Sequence, residues 1–166
     1  MREAGNLGDV NTLETYRSAH REINAPAEHV FALLATPGEH HRFDASQMVG
    51  EPVTPGRLTR VGDIFTMEMT YRGGGETEHY RTDNHVTVLE EPRCVEWAVA
   101  PHGEQVLGWR WRYELERSGP RRTRVALIYD WAGTPEKNMR HFGVPLLTED
   151  QLATSLVMLA TAAEDT

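Results

Sequence analysis

The chain has 166 residues and a formal net charge of −8, long enough for one domain whose core needs neither metal nor disulfide. Sixteen arginines and one lysine lie scattered among the acids, which argues against a nucleic-acid surface. The lone Cys94 excludes an internal disulfide and a cysteine-rich zinc site and suits a reducing, cytoplasmic setting. The first twelve residues hold no apolar run and no stretch reaches the length of a membrane span, so neither export nor insertion is expected.

Residues 1–12 are polar and read as a flexible tail, leaving 13–166 as a single domain. Thr15 to Ile23 predicts an edge-like first strand. Pro26 suits a first helical position, Glu28 complements the helix dipole, and Ala27, Val30, Phe31 and Leu34 form one apolar face. Thr36-Pro37-Gly38 ends that helix, and Glu39 to Phe43 adds a further turn. From Ser46 to Trp131 glycine and proline turns separate strands at roughly 46–53, 63–72, 78–90, 93–100, 106–117 and 121–131. Seven strands joined by short connections predict antiparallel neighbours.

The clearest strand is Leu107-Gly108-Trp109-Arg110-Trp111-Arg112-Tyr113-Glu114-Leu115-Glu116, in which every odd residue is large and apolar. If Ser118-Gly119-Pro120 is the next loop, Glu114 faces Arg124, Trp109 faces Tyr129 and Trp111 faces Leu127. A loop at Glu91-Pro92 sets Val86 opposite Trp97 and Val88 opposite Val95. After Trp131 the chain turns helical. Thr134-Pro135-Glu136 starts a segment that Gly143-Val144-Pro145 interrupts, and Thr148 with Gln151 reads as a capping box. Leu152, Leu156, Leu159 and Ala163 share one face of the final helix, and the scarcity of polar residues predicts burial on more than one side. The class is α+β.

So much aromatic surface on one face must be covered by a helix or must line a cavity that holds an apolar guest. Parity places Phe65, Met67, Met69, Tyr71, Tyr80, Thr82, Asn84, Trp97, Trp109, Trp111, Tyr129 and Trp131 on that face, and Phe142 and Leu156 join them from the helices. The plainer reading of the same residues is ordinary core packing. Asn84 and Thr82 either orient a ligand or bond within the core; a bulge after Asp83 would turn them outward. His79 and His85 are roughly 20 Å apart at about 3.3 Å per residue and cannot share a metal. His40 and His41 read as a solvated helix end, and His141 is the better acid–base candidate, with Asn84 behind it. The Gly73-Gly74-Gly75 tip and Gly143-Val144-Pro145 are the places where a door to a cavity would open. No metal or cofactor motif occurs.

Residues 22–34 (Glu-Ile-Asn-Ala-Pro-Ala-Glu-His-Val-Phe-Ala-Leu-Leu), Phe43-Asp44, Val61-Gly62-Asp63 and the stretch Val86 to Trp97 resemble motifs of the START-like (SRPBCC) superfamily. Within it the chain is most similar to the polyketide cyclase/dehydratase-like branch. The resemblance covers roughly residues 15–163 and implies a helix-grip fold: a seven-stranded antiparallel sheet wrapped round the long C-terminal helix, with two short helices after the first strand. It implies an apolar cavity between sheet and helix. Three functions fit. The first is binding or transport of a small hydrophobic molecule (lipid, polyketide or isoprenoid-like) without a cofactor. The others are a cyclase/dehydratase-type enzyme that positions its substrate, and a protein-interaction domain. The expected partner is the small hydrophobic ligand, not nucleic acid or a membrane interior; a homodimer stays open.

Overall fold

The computed structural model describes residues 14–165; the tail expected at 1–12 lies outside them. Strand β1 (Tyr16–Ile23) leads through Pro26 into helix α1 (Ala27–Leu34) and a short 3-10 helix (Pro37–Phe43). Six strands follow: β2 (Val49–Pro52), β3 (Ile64–Gly73), β4 (Glu76–Glu90), β5 (Cys94–Pro101), β6 (Arg110–Gly119) and β7 (Arg122–Asp130). Helices α2 (Glu136–Phe142) and α3 (Glu149–Glu164) close the chain. The seven strands form one antiparallel sheet in the order β1-β7-β6-β5-β4-β3-β2, so the first strand pairs with the last.

Helix α3 crosses the concave side and packs on β1, β7, α1 and the 3-10 helix. Its start is the expected capping box, Thr148 accepting from the Gln151 amide while the Gln151 side chain accepts from Thr148. Leu152, Leu156 and Leu159 are fully buried in one core with Val30, Phe31 and Leu34 of α1 and Val125, Leu127 and Tyr129 of β7. One expectation fails here. Ala153, Thr154, Val157 and Thr161 face solvent, so the helix buries one broad face only. Its small and β-branched residues carry little polarity but still form an outer surface.

Two registers also differ from expectation. Strand β6 runs on to Gly119, the turn is Pro120-Arg121, and an irregularity lies between Arg117 and Gly119. Trp111 therefore faces Tyr129 and Glu116 faces Arg124, two residues displaced from the predicted pairs. A shift of two keeps every side chain on its predicted face. Between β4 and β5, Val86 does face Trp97, but a bulge at Thr87 follows, and Val88 then opposes Glu96. The Thr87 hydroxyl donates to Glu96 at 2.7 Å, and Val88 turns to the outer face. Strand β6 begins only at Arg110, because Gly108 at φ +126° breaks the extended run.

Candidate functional site: the concave face

The 3-10 helix supplies the centre of the site. Three residues per turn stack positions i, i+3 and i+6, and here these are Pro37, His40 and Phe43, the three buried residues of the element. His41, one step round, is exposed beside Glu51 instead. His40 is thus inside the domain, against the expectation of a solvated helix end. Its ring stacks on Trp97 at 5.1 Å and meets Phe65 and Phe43 edge-on or tilted at 5.5 and 5.4 Å. Nε2 donates to the Leu34 carbonyl at 2.7 Å, so Nδ1 carries the free lone pair. Burial pushes the imidazole down to about 4, and it is neutral at physiological pH.

Around this ring the sheet places the predicted residues in two groups. Phe65 and Trp97 are in T-shaped contact at 5.4 Å, Met67 is buried beside them, and Asn84 is 5 % exposed. Asn84 donates through Nδ2 to the Phe65 carbonyl at 3.1 Å and to Thr82 at 3.4 Å. Because the bulge comes after Val86, both Asn84 and Thr82 keep their inward direction. Tyr113, which the alternation of β6 points to but the predicted set omits, lies 6.0 Å from Trp97 and 6.4 Å from Phe43. Burial, then the charge of Asp44, raises its hydroxyl far above the ordinary phenol range.

The second group surrounds Tyr129. Trp111 stacks on it at 4.2 Å and Trp131 meets it at 5.3 Å. Arg17, also absent from the predicted set, stands 5.5 Å from the Trp131 ring, donates to the Leu147 carbonyl at 2.9 Å and pairs with Glu14. The Tyr129 hydroxyl accepts from the Leu146 amide at 3.1 Å. These two bonds tie the segment between α2 and α3, where a door was expected. Trp109 packs against Phe142 at 5.6 Å, and Leu156 is sealed under the helix.

Several predicted residues are only half-buried. Met69, Tyr80, Thr82, Trp111 and Phe142 are each partly open, as are Met139 of α2 and Met158 of α3, and the apolar ones among them pack against the core. Tyr71 is 48 % exposed and folds over Gly73 at the hairpin tip. Gly74 and Gly75, with φ of +59° and +79°, form the two-residue turn there. His141 is exposed; it touches Phe142, and among the described residues it makes no ion pair. No group of three or more potential ligands gathers to hold a metal among the described residues.

Two surface hollows lie elsewhere. One, of about 270 Å³, sits at the start of α1 between Asn24, His29, Arg121 and Glu164. The other, of about 750 Å³, lies on the outer face of the sheet. There Glu96, 7 % exposed, is held by Arg110 at 3.6 Å, Arg112 at 3.3 Å and Thr87. Neither hollow touches the aromatic wall. Also on the outer face, Asp83 clamps the loop after β5: burial pushes its carboxyl up, but bonds from the Gly103 amide, His102 and Thr66 outweigh that and hold it at about 2.

The chain superposes on the solution structure of a protein from Arthrobacter aurescens with a TM-score of 0.66 at 19 % identity, over 92 % of this chain and 87 % of that one. The Aha1 dimer from Colwellia psychrerythraea gives 0.56 at 20 %, over 91 % and 97 %. The ZhuI aromatase/cyclase from Streptomyces gives 0.55 at 13 %, over 90 % and 93 %. These likenesses show the fold alone, a helix-grip arrangement of a curled seven-stranded antiparallel sheet and a long C-terminal helix. No family model matches the sequence. Uncharacterised proteins from two Mycobacterium tuberculosis strains are 34 % and 33 % identical over 124 residues, 73 % of this chain. The chain spans about half the length of these curated relatives. No described helix is long and apolar enough to cross a membrane.

Proposed function

We propose that the concave face binds a small hydrophobic molecule of the lipid, polyketide or isoprenoid kind, carrying or presenting it in the cytoplasm. The observation behind this reading is the set of Met69, Trp111, Met139, Phe142 and Met158, apolar and half-buried on the inner side. Apolar surface left partly wet on the inner side of a gripping sheet gains about 25 cal/mol per Å² when a guest covers it. Methionine side chains adapt to an irregular guest at low cost, and the rigid tryptophans supply area.

Much of the wall behind these residues is filled by its own rings, so the guest enters by displacing α2 and its linker, not by filling a ready void. A protein-interaction reading is less well supported, because the outer hollow mixes Tyr16, Val88 and Ile128 with the paired charges of Glu96, Arg110, Arg112 and Glu114 and presents no continuous apolar patch. The cyclase/dehydratase reading draws on the likeness to ZhuI, which extends to fold alone.

Native mass spectrometry of the protein purified from its own host should find a co-purified small molecule, and size analysis of the same sample tests for a homodimer. Titration with a hydrophobic library should shift tryptophan emission and raise the melting temperature. If no library member changes either signal, the binding reading loses its support.

A further inference from the structure

Three buried residues whose rings lie together each carry a polar atom at issue: Trp97 Nε1, the Tyr113 hydroxyl and His40 Nδ1. The residues are 7 %, 6 % and 6 % exposed. Ring centroids lie 6.0 Å from Trp97 for Tyr113 and 5.1 Å for His40. His40 Nε2 is committed to Leu34, and none of the three atoms has a hydrogen-bond partner among the described residues. The described side-chain atoms that are both sealed and unpaired are His85 Nε2 and Thr134 Oγ1. The Trp97 group is therefore not sealed; each atom keeps a small opening. Three polar atoms without a protein partner, each reachable through a small opening, are free to bond a polar group that a guest brings to them.

The charges decide which guest. His40 is neutral, as argued above, and offers a lone pair, while the tryptophan and tyrosine offer N–H and O–H. Asp44 sits near enough that its charge raises the hydroxyls of both Tyr113 and Tyr80. Its carboxylate is fixed by the Ser46 and Val49 amides at 2.9 and 2.8 Å. Arg17, the cation that touches the aromatic wall, is occupied at the other group by Glu14, Leu147 and Trp131.

We propose that Trp97, Tyr113 and His40 form a specificity-determining pole of the concave site, which accepts an uncharged carbonyl or hydroxyl group of the ligand and excludes a carboxylate. This rests on the binding reading above. A ligand carbonyl accepts from Trp97 and Tyr113; a ligand hydroxyl can also donate to His40 Nδ1. A carboxylate entering the same place would meet the Asp44 charge, and Arg17, the cation on the aromatic wall, is already engaged elsewhere.

The test uses three probes of one shape, acetylnaphthalene, ethylnaphthalene and naphthoate, titrated into the whole chain while the indole N–H resonances are followed. Acetylnaphthalene should bind about three- to tenfold tighter than ethylnaphthalene, and naphthoate weakest of the three. Acetylnaphthalene alone should move the Trp97 indole N–H downfield, as a new acceptor requires. Tyr113→Phe should bring acetylnaphthalene affinity down towards that of ethylnaphthalene. If naphthoate binds best, if the Trp97 signal responds equally to all probes, or if the preference survives Tyr113→Phe, the polar pole is refuted while binding stands. If none of the probes perturbs any indole signal, both readings fall.

Discussion

Acid should weaken this domain through His40 before any carboxylate titrates. When the chain unfolds, the imidazole returns to its ordinary value of 6.5, whereas burial holds it at about 4 in the fold. Between those values the unfolded chain binds more protons, so protons favour unfolding. His40's contribution is intact above about pH 6.5, shrinks as the pH falls through that window, and is lost near pH 4. At about 1.4 kcal/mol per pH unit, the full loss is about 3 kcal/mol, of which about 2 kcal/mol is gone by pH 5. Against a typical stability of about 5–15 kcal/mol that is a large change. Asp83 acts in a separate window: its folded value of about 2 against 3.8 means its contribution persists above 3.8 and fades below it.

The assay is urea unfolding from about pH 7.5 to about pH 4.5, on the native chain and on His40→Gln. Glutamine can keep a donor towards the Leu34 carbonyl but does not titrate. Comparing slopes against pH removes whatever constant cost the substitution carries. The native chain should lose about 2 kcal/mol more than the variant between pH 7.5 and pH 5. Parallel curves over that range would refute the argument, because His40 would then bind protons as readily in the fold as in the unfolded chain.

Three further outcomes are expected. Gly108→Ala should cost at least about 2 kcal/mol in thermal melts, since a Cβ there lies 2.5 Å from the Thr134 Cα at φ +126°; Gly56→Ala, also at positive φ but with nothing within 4 Å, should cost less. Arg17→Met should speed hydrogen exchange across 144–148 and lower stability by about 1 kcal/mol, by releasing the Leu147 carbonyl and the Trp131 face. Cys94, 5 % exposed with its thiol pushed up to about 11 by burial, should be alkylated by iodoacetamide only at the rate of unfolding, as mass spectrometry of timed samples would show.

The fold was legible because period-2 alternation survives most local errors. With β6 against β7, both the predicted and the observed alignments pair an acid with an arginine and an aromatic with an aromatic or aliphatic partner. Glu114 with Arg124 and Glu116 with Arg124 satisfy the same chemistry, so composition alone could not choose between them. The choice was made by the turn, where Pro120-Arg121 and the irregularity after Arg117 set the count. The bulge at Thr87 was illegible for a related reason. It accompanies a bond from Thr87 to Glu96 on the neighbouring strand, which no pattern within β4 records.

The site was legible in its apolar half and obscure in its polar half. Alternation marks the inner tryptophans, and extending it two residues past Trp111 reaches Tyr113 directly. His40 is harder, because a histidine pair before an arginine reads as a wet helix end at a period of 3.6. At a period of three, the same stretch puts Pro37, His40 and Phe43 in one column. The two periods assign His40 to opposite sides, and the proline at the start is the local hint for the tighter one. A leucine in that column would pack against Trp97 and Phe65 without acid sensitivity and without an unpaired nitrogen. An imidazole there costs the core more than a leucine would; the Leu34 bond offsets part of that cost, and a partner for Nδ1 would offset more. The buried imidazole is therefore a point of local conflict in the core that a ligand group bonding Nδ1 would relieve.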